Sequence, residues 1–301
     1  MTRLSSPPTF LRASAFALLS CLWLSLAGQA KDTPPNVILI FVDDMGWMDL
    51  TCQGSDFYKT PSIDRLAKEG MRFTDGYAAC AVCSPTRAAV QTGRYPHRLG
   101  VTDWIRSLFQ RGNMGTPEKN PTEYVGGKNR KLLCPPNPFW MDSSEITIAE
   151  ALSPKGYQTG YIGKWHLAGI KHNDRTGGGI VPKDKRGGYQ HWLGVEALEF
   201  SEHEYKTVLY DNDDKPVTLP GYRSDAVADA GIRYIDEHQD EPFFLLMSFI
   251  EPHHQNDKDD YPAPDGYRER YAGKWCPPDL AALPSWSTTQ GQEGSPTYNV
   301  T

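Results

Sequence analysis

The chain has 301 residues, of which 39% are hydrophobic and 23% are charged. This length suits one large domain or two small ones, and the composition is typical of an ordinary soluble globular protein. The formal net charge is -6, and lysine and arginine are scattered along the sequence. A surface that follows a phosphate backbone needs clustered basic residues, so we expect no nucleic-acid partner.

The first thirty residues form a separate segment. Arg3 and Arg12 precede an apolar run over residues 13–26, and a Gly-Gln-Ala stretch follows at residues 28–30. A basic start, an apolar centre and small residues two apart predict a signal peptide over residues 1–30. An uncleaved membrane anchor is the alternative, but the run is shorter than the roughly 20 residues that span a bilayer. We therefore expect export to the periplasm or outside the cell, with no stable membrane insertion after cleavage.

The mature chain has an odd number of cysteines. Once Cys21 is removed with the signal segment, five remain. They are Cys52, Cys80, Cys83, Cys134 and Cys276. In an exported protein, an odd number indicates that at least one cysteine does something other than form a disulfide.

The first part of the mature chain predicts one strand and two helices. Residues 36–42 form a continuous apolar run rich in β-branched side chains, which predicts a strand buried on both faces, as in a parallel sheet. A Thr-Pro pair at residues 60–61 marks the start of a helix, and Gly70 marks its end. A second helix is predicted to begin near Cys83 and to end at Gly93.

Helices and strands alternate along the rest of the chain. Ser144 is predicted to cap a helix, and residues 157–162 form a short strand candidate. A helix is predicted over residues 224–238, and the apolar run over residues 243–250 predicts another buried strand. Strands that alternate with helices indicate an α/β domain with a largely parallel sheet.

Two stretches, residues 106–140 and 171–186, are polar and rich in glycine and proline. We interpret them as long surface loops, and loops of this length in a compact domain are often functional rims. After residue 284 the sequence loses all periodicity, which predicts an irregular tail over residues 285–301.

Polar side chains follow three of the predicted strands, at the point where each strand ends. Asp43 and Asp44 follow the first strand, Lys164 and His166 follow the second, and two histidines at residues 253–254 follow the third. In open α/β sheets, ligands bind beyond the carboxyl ends of the strands. The sequence therefore predicts one site to which all three strands contribute.

The two adjacent aspartates of this site have more than one interpretation. Neighbouring carboxylates such as Asp43 and Asp44 are a common way to hold a hard divalent cation through oxygen ligands. A solvated turn, or a cap for the next segment, is the alternative, and the pair alone does not decide between them.

A Cys-Ser-Pro-Thr-Arg stretch stands at the predicted start of the second helix, over residues 83–87. Backbone N–H groups and the helix dipole favour an anion at such a position, and Arg87 lies one turn further on, within reach of it. Cys80 and Cys83 also match a Cys-x-x-Cys pattern, which is typical of redox pairs and of half a zinc site. A zinc site needs a second such pair, and the sequence contains none.

Taken together, these blocks resemble the sulfatase family. The resemblance runs from residue 36 to residue 284. Its five blocks occur in the family's order. They are residues 36–47 (NVILIFVDDMGW), 59–67 (KTPSIDRLA), 83–97 (CSPTR through TGRYPH), 163–166 (GKWH) and 242–253 (PFFL through PH).

The resemblance implies an alkaline-phosphatase-like fold, with a central mixed, mostly parallel sheet flanked by helices. It implies a catalytic domain over residues 31–284 that is incomplete at its C-terminal end. Family members continue into a strand that completes the metal site and a later lysine that contacts sulfate, and this sequence has neither. The change of composition after residue 284 fits a shortened product.

The resemblance also implies a modified residue and a metal ion. Cys83 is expected to be converted to formylglycine by the formylglycine-generating enzyme, which recognises Pro85 and Arg87. Asp43 and Asp44 match the family's ligands for calcium, or in some members magnesium, and the modified residue 83 faces the same ion. A hydrated aldehyde carries two hydroxyls, so one can attack sulfur and the other can later expel sulfate as the aldehyde re-forms.

The remaining site residues are assigned by their match to the family's motifs. Arg87 matches the residue that steadies the formylglycine hydrate, and Lys164 matches a cation that binds sulfate. His166 matches the histidine that contacts the hydrate and takes its proton. His253 matches a general acid near the leaving alcohol. His254 is adjacent, and the sequence leaves open an exchange of their roles.

The resulting hypothesis is a sulfuric ester hydrolase that acts on a sulfated carbohydrate or a similar small-molecule ester. A phosphate or phosphonate ester hydrolase of the same superfamily is the first alternative, because the tetrahedral anions are alike. An inactive, shortened remnant or binding protein is the second, because the later half of the metal site is missing from the sequence.

Overall fold

A six-stranded sheet lies at the centre of the computed structural model, which describes residues 34–105, 136–169, 179–200, 203–255 and 260–272. The strands are β1 (Val37–Val42), β2 (Gln158–Lys164), β3 (His191–Val195), β4 (Val208–Tyr210), β5 (Pro216–Thr218) and β6 (Phe243–Phe249). Their order across the sheet is β1-β6-β2-β3-β4-β5. The first four strands in this order pair in parallel, and β4 and β5 pair antiparallel. The sheet is therefore mixed and mostly parallel, as predicted.

Helices flank this sheet. They are α1 (Pro61–Glu69), α2 (Cys83–Thr92), α3 (Pro96–Leu99), α4 (Ile148–Leu152) and α5 (Arg223–Glu237). Short 3-10 turns lie at Trp47–Asp49, Thr51–Gln53, Ser153–Lys155, Lys183–Lys185 and Leu198–Phe200. In the part of the chain that the structure describes, no helix has the length and apolar character needed to cross a bilayer. The predicted signal peptide over residues 1–30 and the predicted tail over residues 285–301 lie outside the described residues.

The predicted α/β alternation is confirmed, with small shifts at the ends of the elements. Helix α2 begins at Cys83 and ends at Gly93, whose φ of 67° is left-handed and whose N–H donates to Ala89 O. The predicted cap at Ser144 is wrong. Thr147 caps α4 instead, because its hydroxyl accepts from the Glu150 N–H while the Glu150 carboxylate accepts from the Thr147 N–H.

Both faces of the central strands are buried. Along β6, Phe244 and Leu246 belong to the apolar cluster on one face of the sheet, whereas Leu245 and Met247 belong to the cluster on the other. Side chains alternate between the two faces of a strand, so a continuous apolar run fills two cores at once. Helix α5 contributes to the second cluster, notably through Tyr234.

The prediction that residues 36–42 form a strand buried on both faces is wrong in its burial. β1 pairs only with β6 and is an edge strand, and Ile38 and Ile40 are 44% and 57% exposed. Within the described residues, no second strand pairs with the outer edge of β1. Helix α1 likewise has no buried residue, and its Leu66 is exposed. Some apolar side chains of β1 and α1 are therefore not buried by the residues that the structure describes.

The two predicted surface loops are described only in part. Residues 106–135 of the first and 171–178 of the second lie outside the described residues. In the part that is described, Lys185 Nζ lies 3.9 Å from the centroid of the Trp140 ring.

The substitution Gly163→Ala in β2 tests the close contact between β2 and β6. Gly163 has a φ of 115°, and a Cβ atom there would lie 2.0 Å from the backbone oxygen of Ser248. We expect Gly163→Ala to lower the free energy of unfolding by at least about 3 kcal/mol, because backbone on both strands must move. The matched control is Gly156→Ala, which also has a positive φ but meets nothing within 4 Å, so only the conformational cost of about 1–2 kcal/mol is expected. Equal losses in urea unfolding would contradict this account.

Candidate active site

The sheet brings the predicted site residues to one edge. Asp43 directly follows β1, Lys164 ends β2, and His253 lies four residues beyond β6. Because β1, β6 and β2 are parallel neighbours, their carboxyl ends meet at that edge. The N-terminus of α2, with Cys83, lies there too, since the side chain of Arg87 reaches both Asp43 and the end of β2.

A buried cluster of four charges forms the floor of the site. The ammonium of Lys164 donates to Asp43 Oδ2 at 2.7 Å and lies 3.2 Å from Glu199 Oε2. Arg87 Nη2 lies 3.1 Å from the same oxygen of Asp43. All four side chains are at most 5% exposed as residues. Two cations and two carboxylates therefore balance one another away from water.

Arg87 is held by neutral groups as well as by charge. Its Nη1 donates to the backbone oxygen of Lys164 at 2.7 Å and to Ser248 Oγ at 2.6 Å. The Ser248 hydroxyl donates in turn to Lys164 O at 2.8 Å, and the guanidinium lies 5.0 Å from the centroid of the Phe41 ring. Arg87 thereby ties α2 to the ends of three neighbouring strands.

The charges of the cluster determine the protonation of its members. Burial opposes ionisation of Asp43, but Lys164 and Arg87 outweigh it and hold the pKa of that carboxyl well below its usual range. Burial likewise opposes ionisation of Glu199, yet Lys164 and the nearby histidines lower its pKa to about 2. Burial lowers the pKa of Lys164, and the two carboxylates raise it by more. At neutral pH the cluster is fully ionised.

Cys83 and His166 are in contact. Cys83 Sγ lies 3.2 Å from His166 Nδ1, and His166 Nε2 lies 3.2 Å from the carbonyl oxygen of Ile105. A carbonyl can only accept, so Nε2 carries a proton and Nδ1 faces residue 83. Burial raises the pKa of the Cys83 thiol, but His166 and Lys164 lower it by more. The net effect is a pKa of about 7, below the ordinary value of a thiol. An ordinary thiol here would be half ionised near neutral pH.

Two site residues have unusual backbone conformations. Asp44 has a φ of 61° and His166 a φ of 56°, both in the left-handed region that non-glycine residues seldom adopt. Such conformations persist only where the surrounding structure imposes them, and they concentrate at functional sites. The backbone N–H of His166 donates to the carbonyl oxygen of Glu196. Asp44 is the residue directly after the buried Asp43.

The two adjacent histidines differ in their surroundings. His253 Nδ1 lies 2.6 Å from the carbonyl oxygen of His254, so it donates there and leaves Nε2 facing Asp44 Oδ2 at 3.6 Å. The ring of His254 packs instead against Tyr261, with ring centroids 4.8 Å apart. Burial and the Lys164 charge lower the pKa of His253. Of the two, His253 is the histidine that reaches the aspartates.

The predicted metal ligands are only partly assembled. In the regions that the structure describes, no group of three or more His, Cys, Asp or Glu side chains is arranged to hold a metal ion. Asp43 is engaged by two cations, while Asp44 is exposed. Asp43, Asp44 and Cys83 therefore lie at one edge of the sheet without forming a complete ligand set.

Sequence reasoning missed three buried polar residues of the site, namely Glu196, Glu199 and Ser248. The Glu196 carboxylate accepts from the N–H groups of Ala168 and Gly169, in the loop that follows His166. Glu196 comes directly after β3. It could therefore have been predicted from the same pattern, in which a strand is followed by an acidic residue. Ser248 interrupts the apolar run of β6, which is also a visible signal.

A buried charge cluster and a helix N-terminus at the carboxyl edge of the sheet place this chain in the class of α/β proteins that bind ligands, anions among them, at that edge. Within that class, residues 35–275 match the family model described as Sulfatase. The chain therefore belongs to the sulfatase family, and the family predicted from the five sequence blocks is confirmed.

Named relatives agree with this assignment. An ulvan-active sulfatase from Formosa agariphila is 30% identical over 263 residues, which are 86% of this chain and 43% of that protein. The crystal structure of Ps i-CgsB in complex with k-i-k-neocarrahexaose is 28% identical, with a TM-score of 0.52 and coverage of 75% of this chain and 47% of that one.

A third comparison concerns the fold alone. A Bacteroides fragilis protein described as a sulfatase has a TM-score of 0.63 at 24% identity, and the match covers 85% of this chain and 50% of that one. This agrees with the alkaline-phosphatase-like fold that the resemblance implied. The chain spans about half the length of the relatives that it matches.

Asp43→Asn tests the buried charge cluster. Removing this carboxylate leaves Lys164 and Arg87 with one counter-charge fewer, so in the presence of a chelator we expect a loss of about 3–5 kcal/mol in unfolding free energy at pH 7. Asp44→Asn, at an exposed position, should change it by about 0.5 kcal/mol or less. A carboxyl with a lowered pKa stabilises above its ordinary pKa and loses this contribution as the pH falls. The gap between wild type and Asp43→Asn should therefore narrow below about pH 4. A gap independent of pH would contradict the assignment.

Proposed function

We propose that this protein hydrolyses sulfate esters through a formylglycine made from Cys83. The observation that carries the proposal is the contact between Cys83 and His166 beside the buried charge cluster. Cys83 is the first residue of α2, so the helix N-terminus adds its partial positive charge to that of Lys164 and Arg87. A nucleophile, a proton acceptor and two buried cations thus meet at one place.

The substrate class that we propose is a sulfated glycan. One relative is named as an ulvan-active sulfatase, and another was crystallised with k-i-k-neocarrahexaose. Both names concern saccharides, which supports a sulfated carbohydrate as the substrate, while other relatives of 31–39% identity are named arylsulfatases. Several residues of the predicted rims, 136–140 and 179–186, are positioned in the described structure, but the rest of both rims lies outside it.

Formylglycine supplies, as its hydrate, a hydroxyl nucleophile and a second hydroxyl whose proton loss releases sulfate. The side chains of this protein do the remaining work. His166 keeps its Nε2 proton on Ile105 O, so its Nδ1 atom is free to take a proton from residue 83. Lys164 and Arg87 are buried and paired with Asp43 and Glu199, and we propose that their fixed charges stabilise a sulfate group through an environment from which water is excluded. His253 presents Nε2 toward the exposed carboxylate of Asp44, and we propose that it protonates the leaving alcohol.

We further propose that Asp43 and Asp44 form part of a site for Ca²⁺ or Mg²⁺. Their carboxylate oxygens are the donors that these ions prefer, but calcium takes 6–8 oxygen ligands. Two aspartates therefore give a partial site, completed by water or by groups beyond the described residues. A bound cation would supply Lewis acidity toward sulfate oxygens.

Export and maturation complete the proposal. Residues 1–30 are proposed to direct export, and the formylglycine-generating enzyme is proposed to act on the Cys-x-Pro-x-Arg motif of residues 83–87. The catalytic region is proposed to span residues 31–284. The family model matches residues 35–275, which lie within these limits.

Cys83→Ala tests the nucleophile. The full chain is co-expressed with a formylglycine-generating enzyme, and mass spectrometry establishes the aldehyde at residue 83. We expect the protein to turn over p-nitrophenyl sulfate in preference to p-nitrophenyl phosphate, and Cys83→Ala to lose at least about 10³-fold in kcat, since it removes the covalent step.

Cys80→Ala is the matched control for this substitution. The Thr86 hydroxyl donates to the backbone oxygen of Cys80 and not to its side chain. Replacing the side chain should therefore preserve this contact, and the variant should keep wild-type turnover. Full sulfatase activity with an intact thiol at residue 83 would contradict the proposed mechanism. A preference for the phosphate ester would favour the phosphohydrolase alternative, and no turnover of either ester would favour the inactive remnant.

Calcium titration tests the proposed cation site without reference to turnover. With few protein ligands, we expect the melting temperature to rise only at calcium concentrations of about 10⁻⁴–10⁻³ M, the range of weak sites. Asp44→Asn should abolish this rise while leaving the melting temperature in chelator unchanged. A wild-type protein that shows no shift at about 10⁻² M calcium would exclude the site.

A further inference from the structure

We propose that Glu199 is a positioning residue for the Lys164 ammonium, an inference that rests on the proposed sulfate-ester function. Glu199 matches none of the five motif blocks, and it lies in the 3-10 turn that follows β3. Its side chain is buried, and its Oε2 atom lies 3.2 Å from Lys164 Nζ. The ammonium therefore lies between carboxylates from two separate parts of the chain.

The charge balance of the cluster requires a second carboxylate. Asp43 Oδ2 contacts both Lys164 and Arg87, so a single oxygen faces two cations. A fully buried ammonium is stable only when nearby groups compensate its charge. Glu199 provides this compensation, since its Oε2 atom lies 3.2 Å from Lys164 Nζ and it has no ion pair with Arg87 among the described contacts.

The backbone of Glu199 is well anchored. The amide Nε2 of Gln255 donates to the carbonyl oxygen of Glu199, and Arg223 donates to the neighbouring carbonyl of Leu198. Arg223 also donates to Gln255 Oε1 at 3.2 Å. Gln255 lies two residues after His253, so the turn that carries Glu199 is tied to the segment that carries the proposed general acid.

These contacts assign Glu199 a role that Asp43 cannot fill alone. An ammonium with one carboxylate partner would settle against that partner, away from an incoming sulfate. With Glu199 as a second charged partner, the ammonium is held in one position by two carboxylates, and its charge acts on the substrate from that position. Glu199 does not itself touch the substrate in this account, and it acts through Lys164.

A double-mutant cycle separates this role from a purely structural one. The variants are Glu199→Gln, Lys164→Met and the double variant, with Glu199→Asp as the conservative replacement. The readouts are kcat/KM for p-nitrophenyl sulfate and, independently of turnover, the Kd of inorganic sulfate from titration calorimetry. Glu145→Gln, which alters an exposed ion pair with Arg94 outside the site, is the matched control.

We expect Glu199→Gln to weaken sulfate binding and to lower kcat/KM by about 10- to 100-fold, the range for removing one charge from a buried ion pair. In the Lys164→Met background the same change should cost about 2-fold or less, because the group through which Glu199 acts is gone. Glu199→Asp should recover part of the loss. The control should bind and turn over as wild type does.

Two results would overturn the inference. One is an equal fold-loss from Glu199→Gln in both backgrounds, and the other is a loss of thermal stability with unchanged sulfate Kd and KM. Lys164→Gln serves as the second background if Lys164→Met does not fold.

The proposed function has a separate readout. Wild type that carries the aldehyde but turns over no sulfate ester would refute the function, while the calorimetric cycle would still decide the role of Glu199. Wild type that does not bind sulfate at all would overturn both.

Discussion

The ion pair between Lys164 and Asp43 is the interaction on which the site depends. It joins the end of β2 to the end of β1 across the intervening strand β6, at 2.7 Å and away from solvent. Two such charges are stable inside a protein only when neighbouring groups compensate them. Arg87 and Glu199 complete the balance, so the cluster is stable only when α2, β1, β2 and the turn after β3 are all in place.

The backbone of the sheet makes this arrangement possible. Gly163 allows β2 to approach β6 closely, and the next residue, Lys164, presents its carbonyl oxygen to Ser248, Arg87 and Tyr161 at once. Its side chain meanwhile turns into the charge cluster. One residue thus provides a backbone acceptor for the helix that carries Cys83 and an ammonium for the anion site, which couples packing directly to chemistry.

Much of this arrangement was predictable from sequence, and the exceptions have physical causes. Apolar runs that end in polar residues predicted the edge where Asp43, Lys164 and His253 meet, because strand direction follows from chain order in a parallel sheet. The exposure of β1 was not predictable from sequence. An apolar run shows that a strand can be buried, but it does not show which elements pack beside it. Glu199 was missed because it follows a short strand. The cap at Thr147 could have been predicted, since Thr147 and Glu150 form a capping-box pattern that is visible in the sequence.

The outer edge of β1 has a consequence for the behaviour of this protein in solution. Six residues without a charge, two of them widely exposed isoleucines, offer backbone hydrogen-bonding groups to any extended peptide. An uncharged edge that nothing in the described part of the chain covers is a template for intermolecular strand addition, which favours self-association as concentration rises. We therefore expect self-association to involve the outer side of the strand that leads directly into Asp43.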